Sequence, residues 1–245
     1  MRKFLFLFTT LLLFTLAATA QQLEVLEVGQ EPDGHFMKQI NGLILEGEVR
    51  HGLKQGTWYE TDANKNLLRK VIQYQDGKKH GVYLEIDDTG ALVKKSEFAD
   101  DQLNGSTLTW YRGGRLSVKS TYKNGVLDGE QIVCYEQGNV REKSNYKDGL
   151  RDGTTVWFNQ NGFKVMSIEY KAGKFDGRQE TYYQNGSLKT SKMYKDNVQE
   201  GPAQEFYEGG DLKSECTFKK GQLSGKVKTY EDQHPVVPIE KKEKK

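Results

Sequence analysis

The chain has 245 residues, with 36 Lys and Arg against 34 Asp and Glu. Arg2 and Lys3 belong to an apolar leader, so the remainder is neutral. That excludes the broad basic footprint on which general nucleic-acid binding depends, and no nucleic-acid-binding motif occurs.

In chain order, Arg2 and Lys3 precede an apolar run at 4–14, and Ala18-Thr19-Ala20 follows as a small-x-small site. Residues 1–20 therefore read as a secretory signal peptide cleaved before Gln21. No Cys stands immediately after that site, so a lipid anchor is not expected, and no transmembrane segment is expected after cleavage. A periplasmic or secreted mature chain is the expectation. Residues 21–41 are expected to form an N-terminal cap, with a first strand at 23–28 and a turn at 31–34. Residues 42–231 are repeats. Residues 232–245 hold two prolines and a run of lysines and are expected to be a disordered Lys-rich tail.

The repeats are set by two ladders in step. Gly56, Gly81, Gly105, Gly129, Gly153, Gly177, Gly201 and Gly225 recur at 24 residues after a first gap of 25. Tyr74, Phe98, Tyr122, Tyr146, Tyr170, Tyr194 and Phe218 recur at 24 throughout. Between them lie two turn ladders. One is Gly77, Asp101, Gly125, Gly149, Gly173, Asn197 and Gly221. Asp and Asn are the residues other than Gly that best accept a left-handed backbone. The other is Gly90, Gly114, Gly138, Gly162, Gly186 and Gly210. Two short β-rich stretches and two turns per 24 residues make one β-hairpin per repeat. The predicted fold is all-β: an elongated single-layer antiparallel array of about eight 24-residue hairpin repeats, each too small to be stable alone.

Alternation assigns faces. The position five after each leading Gly holds Trp110, Cys134, Phe158, Tyr182, Phe206 and Tyr230 and reads as a core slot. The next position holds Tyr111, Tyr135, Asn159, Tyr183 and Tyr207, which should face the other way. Tyr111, Tyr135, Tyr183 and Tyr207 are the candidate partner-binding residues, because Tyr presents rigid contact area at low entropic cost. The alternative is that they only cover the sheet. Lys123, Lys147, Lys171, Lys195 and Lys219 form a further ladder, read as a solvated turn flank with headgroup binding as the alternative. Asp128, Asp152 and Asp176 each precede a Gly, but Gln55, His80, Asn104, Glu200 and Ser224 share that slot, which favours turn chemistry over calcium.

Cys134 and Cys216 lie 82 residues apart, so hairpin stacking separates them by roughly 30 Å, beyond disulfide reach. Both are expected to be free. His35, His51, His80 and His234 show no metal-ligand spacing, and no nucleophile or phosphate-loop motif occurs. No catalytic residue, metal site or cofactor is expected.

The pieces WYRGGRLSVKSTYKNGVLDG from Trp110 and YYQNGSLKTSKMYKDNVQEG from Tyr182 resemble the bacterial variant of the MORN repeat. The resemblance covers roughly residues 42–231 and implies an antiparallel array of hairpins. Related bacterial chains carry the label of YwqK-type antitoxin components, which implies a protein partner and no catalytic residues. The expected function is a non-catalytic exported scaffold for protein–protein interaction in the cell envelope. The alternative is binding of envelope glycan or lipid headgroups through the repeat face.

Overall fold

Two kinds of tight turn alternate along the chain, and their backbone demands explain the turn ladders. In a computed structural model that describes residues 31–234, the first kind is a two-residue turn with both central residues at positive φ, as at Asn124 (φ 50) and Gly125 (φ 79). This is the type I′ turn, whose twist matches paired strands. Asp101 (φ 66) and Asn197 (φ 67) take the same conformation, so the two exceptions in the ladder obey one backbone requirement. The second kind is a three-residue loop. Tyr111 N–H donates to the Arg115 carbonyl, and Gly114 N–H donates to the Tyr111 carbonyl. Gly114 (φ 74) sits at the bulge position that such loops require.

Every described strand pairing is antiparallel, and the chain divides into two units at residue 102. The first contains β1 (Gly34–Ile40), β2 (Leu43–Arg50), β3 (Leu53–Asp62), β4 (Leu67–Gln75), β5 (Lys78–Ile86) and β6 (Leu92–Ala99). Each pairs with the next as a meander. Its core is Phe36, Val49, Trp58, Ile72 and Tyr74, with Leu45 and Tyr83 packed against them. Trp58 anchors it: its ring lies 5.3 Å from Phe36 and 6.2 Å, edge-on, from Tyr74, and its Nε1–H donates to the Glu48 carbonyl at 3.1 Å. Asn41-Gly42 closes β1 onto β2 with the same left-handed pair of residues, so part of the expected cap is itself a hairpin strand. The expected strand at 23–28, the signal peptide and residues 235–245 of the tail lie outside the described residues.

The second unit contains β7 (Gln102–Trp110), β8 (Leu116–Lys123), β9 (Val126–Cys134), β10 (Val140–Lys147), β11 (Leu150–Arg151), β12 (Gly153–Phe158), β13 (Lys164–Lys171), β14 (Lys174–Tyr182), β15 (Leu188–Lys195), β16 (Val198–Phe206), β17 (Leu212–Lys219) and β18 (Gln222–Thr229). These too form a meander.

The two main ladders turn out to be one feature. Gly105 faces Tyr122 across the strands, Gly129 faces Tyr146, Gly153 faces Tyr170, Gly177 faces Tyr194 and Gly201 faces Phe218. The leading Gly lies inside its strand at Gly105, Gly129, Gly177 and Gly201 and opens β12 at Gly153. It sits in a bulge: Ser120 pairs with Gln131 and Tyr122 with Leu127, so β9 spends two extra residues around Gly129 (φ 115).

The core slot needs correction. Of its occupants in the second unit only Cys134 is buried, at 4% exposure, and Tyr230 is 41% exposed. Trp110, Phe158, Tyr182 and Phe206 are half-buried. The buried column runs through the strand centres: Thr107, Ser120, Ser144, Thr155, Ile168 and Ala203. Thr107 faces Ser120, Thr155 faces Ile168, and Ala203 faces Cys216. Strand centres are paired with strands on both sides, whereas the slot sits where a strand meets its loop. Apart from Ile168, small residues fill the column, because a single sheet layer leaves little depth there.

Candidate functional site

The four candidate tyrosines do not lie on a strand face. Each follows the last residue of its strand and opens the three-residue loop. From there its hydroxyl donates to the carbonyl of the slot residue one repeat on: Tyr111 to Cys134, Tyr135 to Phe158 and Tyr183 to Phe206, each at 2.8 Å, and Tyr207 to Tyr230 at 3.0 Å. The rings are half-buried. Lys189 Nζ lies 5.4 Å from the Tyr183 ring centre and Lys213 Nζ 5.9 Å from that of Tyr207. These side chains thus join consecutive hairpins as well as forming a row. Asn159 interrupts the row for a local reason: its carboxamide oxygen accepts from Asn161 N–H and Phe163 N–H, both at 3.0 Å, and caps its own loop. Asp87, at the same point of its repeat, does likewise with Thr89 and Ala91.

Two further rows fasten hairpin to hairpin on the opposite edge. The second residue of each type I′ turn donates its N–H to a carbonyl of the preceding repeat: Gly125 to Leu103, Gly149 to Leu127, Gly173 to Arg151, Asn197 to Phe175 and Gly221 to Gln199. The slot before the leading Gly supplies an acceptor for the first turn residue. Asp128 takes Asp148 N–H at 3.2 Å, Asp152 takes Ala172 N–H at 3.1 Å, and Glu200 takes the N–H of Lys220. The Asp128-Gly129 and Asp152-Gly153 pairs are therefore turn fasteners. The lysine ladder beside them is exposed, with Lys195 3.3 Å from Asp176.

Sequence reasoning missed a row of bulged residues. Where each three-residue loop returns to the sheet, one residue is left without a cross-strand partner: Ser117, Arg141, Val165, Lys189 and Lys213. The alternation breaks there, and a side chain is re-aimed. Gap-free ladders in the sequence give no sign of it, because every repeat carries the same extra residue.

One repeat departs from the others on both faces. Arg151 stands where Leu127 and Phe175 stand in the flanking repeats. It pairs with Glu142, donates to the hydroxyls of Tyr146 at 3.2 Å and Tyr170 at 3.4 Å, and lies 5.5 Å from the ring centres of Trp157 and Tyr170. Trp157 Nε1–H donates to the same Glu142. Burial works against the guanidinium charge, but the Tyr146 and Tyr170 hydroxyls and the Glu142 carboxylate outweigh it and hold the Arg151 pKa above its ordinary value. In the same repeat Phe163 is 48% exposed and Val165 36%.

Cys134 and Cys216 are both free, and burial raises the Cys134 thiol pKa. Among the described residues no group of three or more His, Cys, Asp or Glu is placed to hold a metal ion, and no helix is long and apolar enough to cross a membrane.

The sequence model of the MORN repeat variant matches residues 127–148, 175–196 and 199–220. Each match runs from the first strand of a hairpin to the type I′ turn that ends the next strand. The intervening 151–172, which carries Arg151, Asn159, Phe163 and Val165, is not part of the match. No curated protein matches the chain.

Proposed function

Because this chain is built with MORN-variant repeats, we propose that it is a non-catalytic scaffold, exported to the cell envelope, whose loop edge is presented to a protein partner. The observation that carries this reading is the regular edge of the second unit. There tyrosine rings, loop backbone and bulged side chains recur at one interval while the strands beneath are held by main-chain pairing. Such a surface offers many similar contacts and no converging acid, base or nucleophile, which suits recognition better than chemistry. Glycan or headgroup binding is the second reading, favoured by the half-exposed rings of Tyr111, Tyr135, Tyr183 and Tyr207. Against it, the hydroxyls a sugar would engage are each committed to a carbonyl of the next repeat.

The test is in situ cross-linking of tagged protein in its native envelope, comparing wild type with Tyr135→Ala/Tyr183→Ala and with Tyr135→Phe/Tyr183→Phe. The Phe pair keeps the rings and loses only the inter-repeat bonds. Partner capture should fall by more than about 1 kcal/mol per ring in the Ala pair and persist in the Phe pair. Equal capture by all three proteins would remove the tyrosine edge from recognition. Intact mass of the exported form beginning at Gln21 is the matching test of export.

A further inference from the structure

Where the three-residue loop re-enters the sheet, the hairpins of the second unit share a polar–apolar–polar triplet with its apolar residue turned inward. The triplets are Arg115-Leu116-Ser117, Asn139-Val140-Arg141, Ser187-Leu188-Lys189 and Asp211-Leu212-Lys213. In the remaining hairpin the order is reversed: Phe163-Lys164-Val165. A one-residue slip would restore the usual arrangement, because strand alternation has period two. The slip does not occur. Lys164 pairs with Phe158 as Leu188 pairs with Tyr182 and Leu212 with Phe206. Asn159 fixes the loop by accepting from Asn161 and Phe163. Lys164 takes the inner place, its Nζ 4.2 Å from the Tyr182 ring centre and 3.9 Å from Glu180. Phe163 and Val165 are consequently left on the outside.

Val165 belongs to the bulge row, where its neighbours one repeat away on either side are Arg141 and Lys189, both exposed. Consecutive members of this row are two strands apart, so the three lie at intervals of about 10 Å. The ion pairs described on these strands, among them Lys143–Glu130, Arg151–Glu142, Lys164–Glu180, Arg178–Glu180 and Lys195–Asp176, involve neither Arg141 nor Lys189. An apolar pair between two exposed cations, Arg141 and a Lys189 that touches only the Tyr183 ring, in the hairpin passed over by the family match, is a local surface of defined chemistry.

We propose that Phe163 and Val165, flanked by Arg141 and Lys189, are the docking point for an acidic protein segment that carries an apolar anchor residue. This rests on the scaffold reading and names where, and to what kind of segment, the scaffold binds. The apolar pair supplies the buried centre of the contact and the two cations its rim.

The test pans random displayed peptides of about a dozen residues on the immobilised chain. Recovered peptides are then measured against wild type, against Phe163→Ser/Lys164→Leu/Val165→Lys and against Arg141→Glu/Lys189→Glu. The triple variant installs the Ser187-Leu188-Lys189 pattern on the same register, and its circular dichroism should match wild type. Recovered peptides should place Asp or Glu around an aromatic or aliphatic residue. They should lose on the order of tenfold in affinity on either variant, with the wild-type affinity falling as salt rises. Peptides that bind the triple variant within about twofold of wild type would overturn this site and leave the scaffold reading standing. Recovery of basic peptides would overturn the acidic partner. If no peptide is recovered and phosphatidylserine vesicles bind wild type but not the triple variant, the protein-scaffold reading falls with it.

Discussion

A methyl group at Gly47 has nowhere to go. A Cβ built there meets three atoms of the Trp58 indole at under 3.0 Å, and Trp58 is itself held by Phe36, Tyr74 and the Glu48 carbonyl. Gly113, in the exposed loop after Tyr111, has nothing within 4 Å of the same construction. Gly47→Ala is therefore expected to cost about 1–3 kcal/mol through overpacking. Gly113→Ala should be neutral or stabilising by up to about 1 kcal/mol, because it restrains the unfolded chain. Urea unfolding followed by tryptophan fluorescence checks both, and equal midpoints for the two variants would contradict the packing described around Trp58. The tyrosines show how position decides role at this scale. The same residue type that the sequence offered as a free contact surface is placed at a strand end, where its hydroxyl reaches the next repeat.

Among the elements, the type I′ turns carry the clearest energetic signature. Ala172 occupies the first turn position with φ 47, a conformation that costs an ordinary L-residue roughly 1–2 kcal/mol. Its sister positions hold Asn124, Asp148 and Asp196, whose side chains tolerate it, and Lys220 at φ 51. Ala172→Asn should raise stability by about 0.5–1 kcal/mol, and Asn124→Ala should lower it by a similar amount. Thermal unfolding of the pair decides this, and a loss of stability in Ala172→Asn would contradict the turn geometry. Turns were legible in the sequence because a left-handed residue admits few side chains, so seven aligned positions converge on Gly, Asp and Asn. Pairing of the Gly and Tyr ladders was half legible: their common interval was plain, but not that Gly129 and Tyr146 face each other across two strands. The core was misplaced because the slot was assigned from its run of apolar and aromatic residues, and these stand at strand ends, where each strand meets its loop. Ser120 and Ser144, buried at strand centres, look like surface residues in any hydropathy reading. The reversed triplet at Phe163 was visible in the letters, yet its meaning depends on a register that only the pairing fixes.

For the molecule as a whole, the repeats of the second unit meet their neighbours through a recurring bond set, broken in the tyrosine row at Asn159, so stability there should approximate a sum of repeat and interface terms. Deleting residues 174–197 joins Gly173 to Val198 and leaves the turn, the bulge and the tyrosine row in phase. This variant is expected to fold cooperatively with a smaller denaturant slope. Deleting 174–185 instead places Gly186 after Gly173, removes the strand that carries the leading Gly, and should prevent native pairing around β13. Circular dichroism and urea titration distinguish them, and a folded short-deletion variant would contradict the phase requirement. The inter-repeat fasteners also bear on time. The tyrosine bonds span 23 residues and the turn fasteners about as many, so a contact forms as soon as its predecessor repeat is in place. Sheet proteins usually fold slowly because their partners are distant along the chain. In these repeats the partners are neighbours, which shortens the stretch of chain that each contact has to close. The hairpins of each unit can therefore zip up one after another, in the order in which they are delivered, without waiting for the far end of the chain.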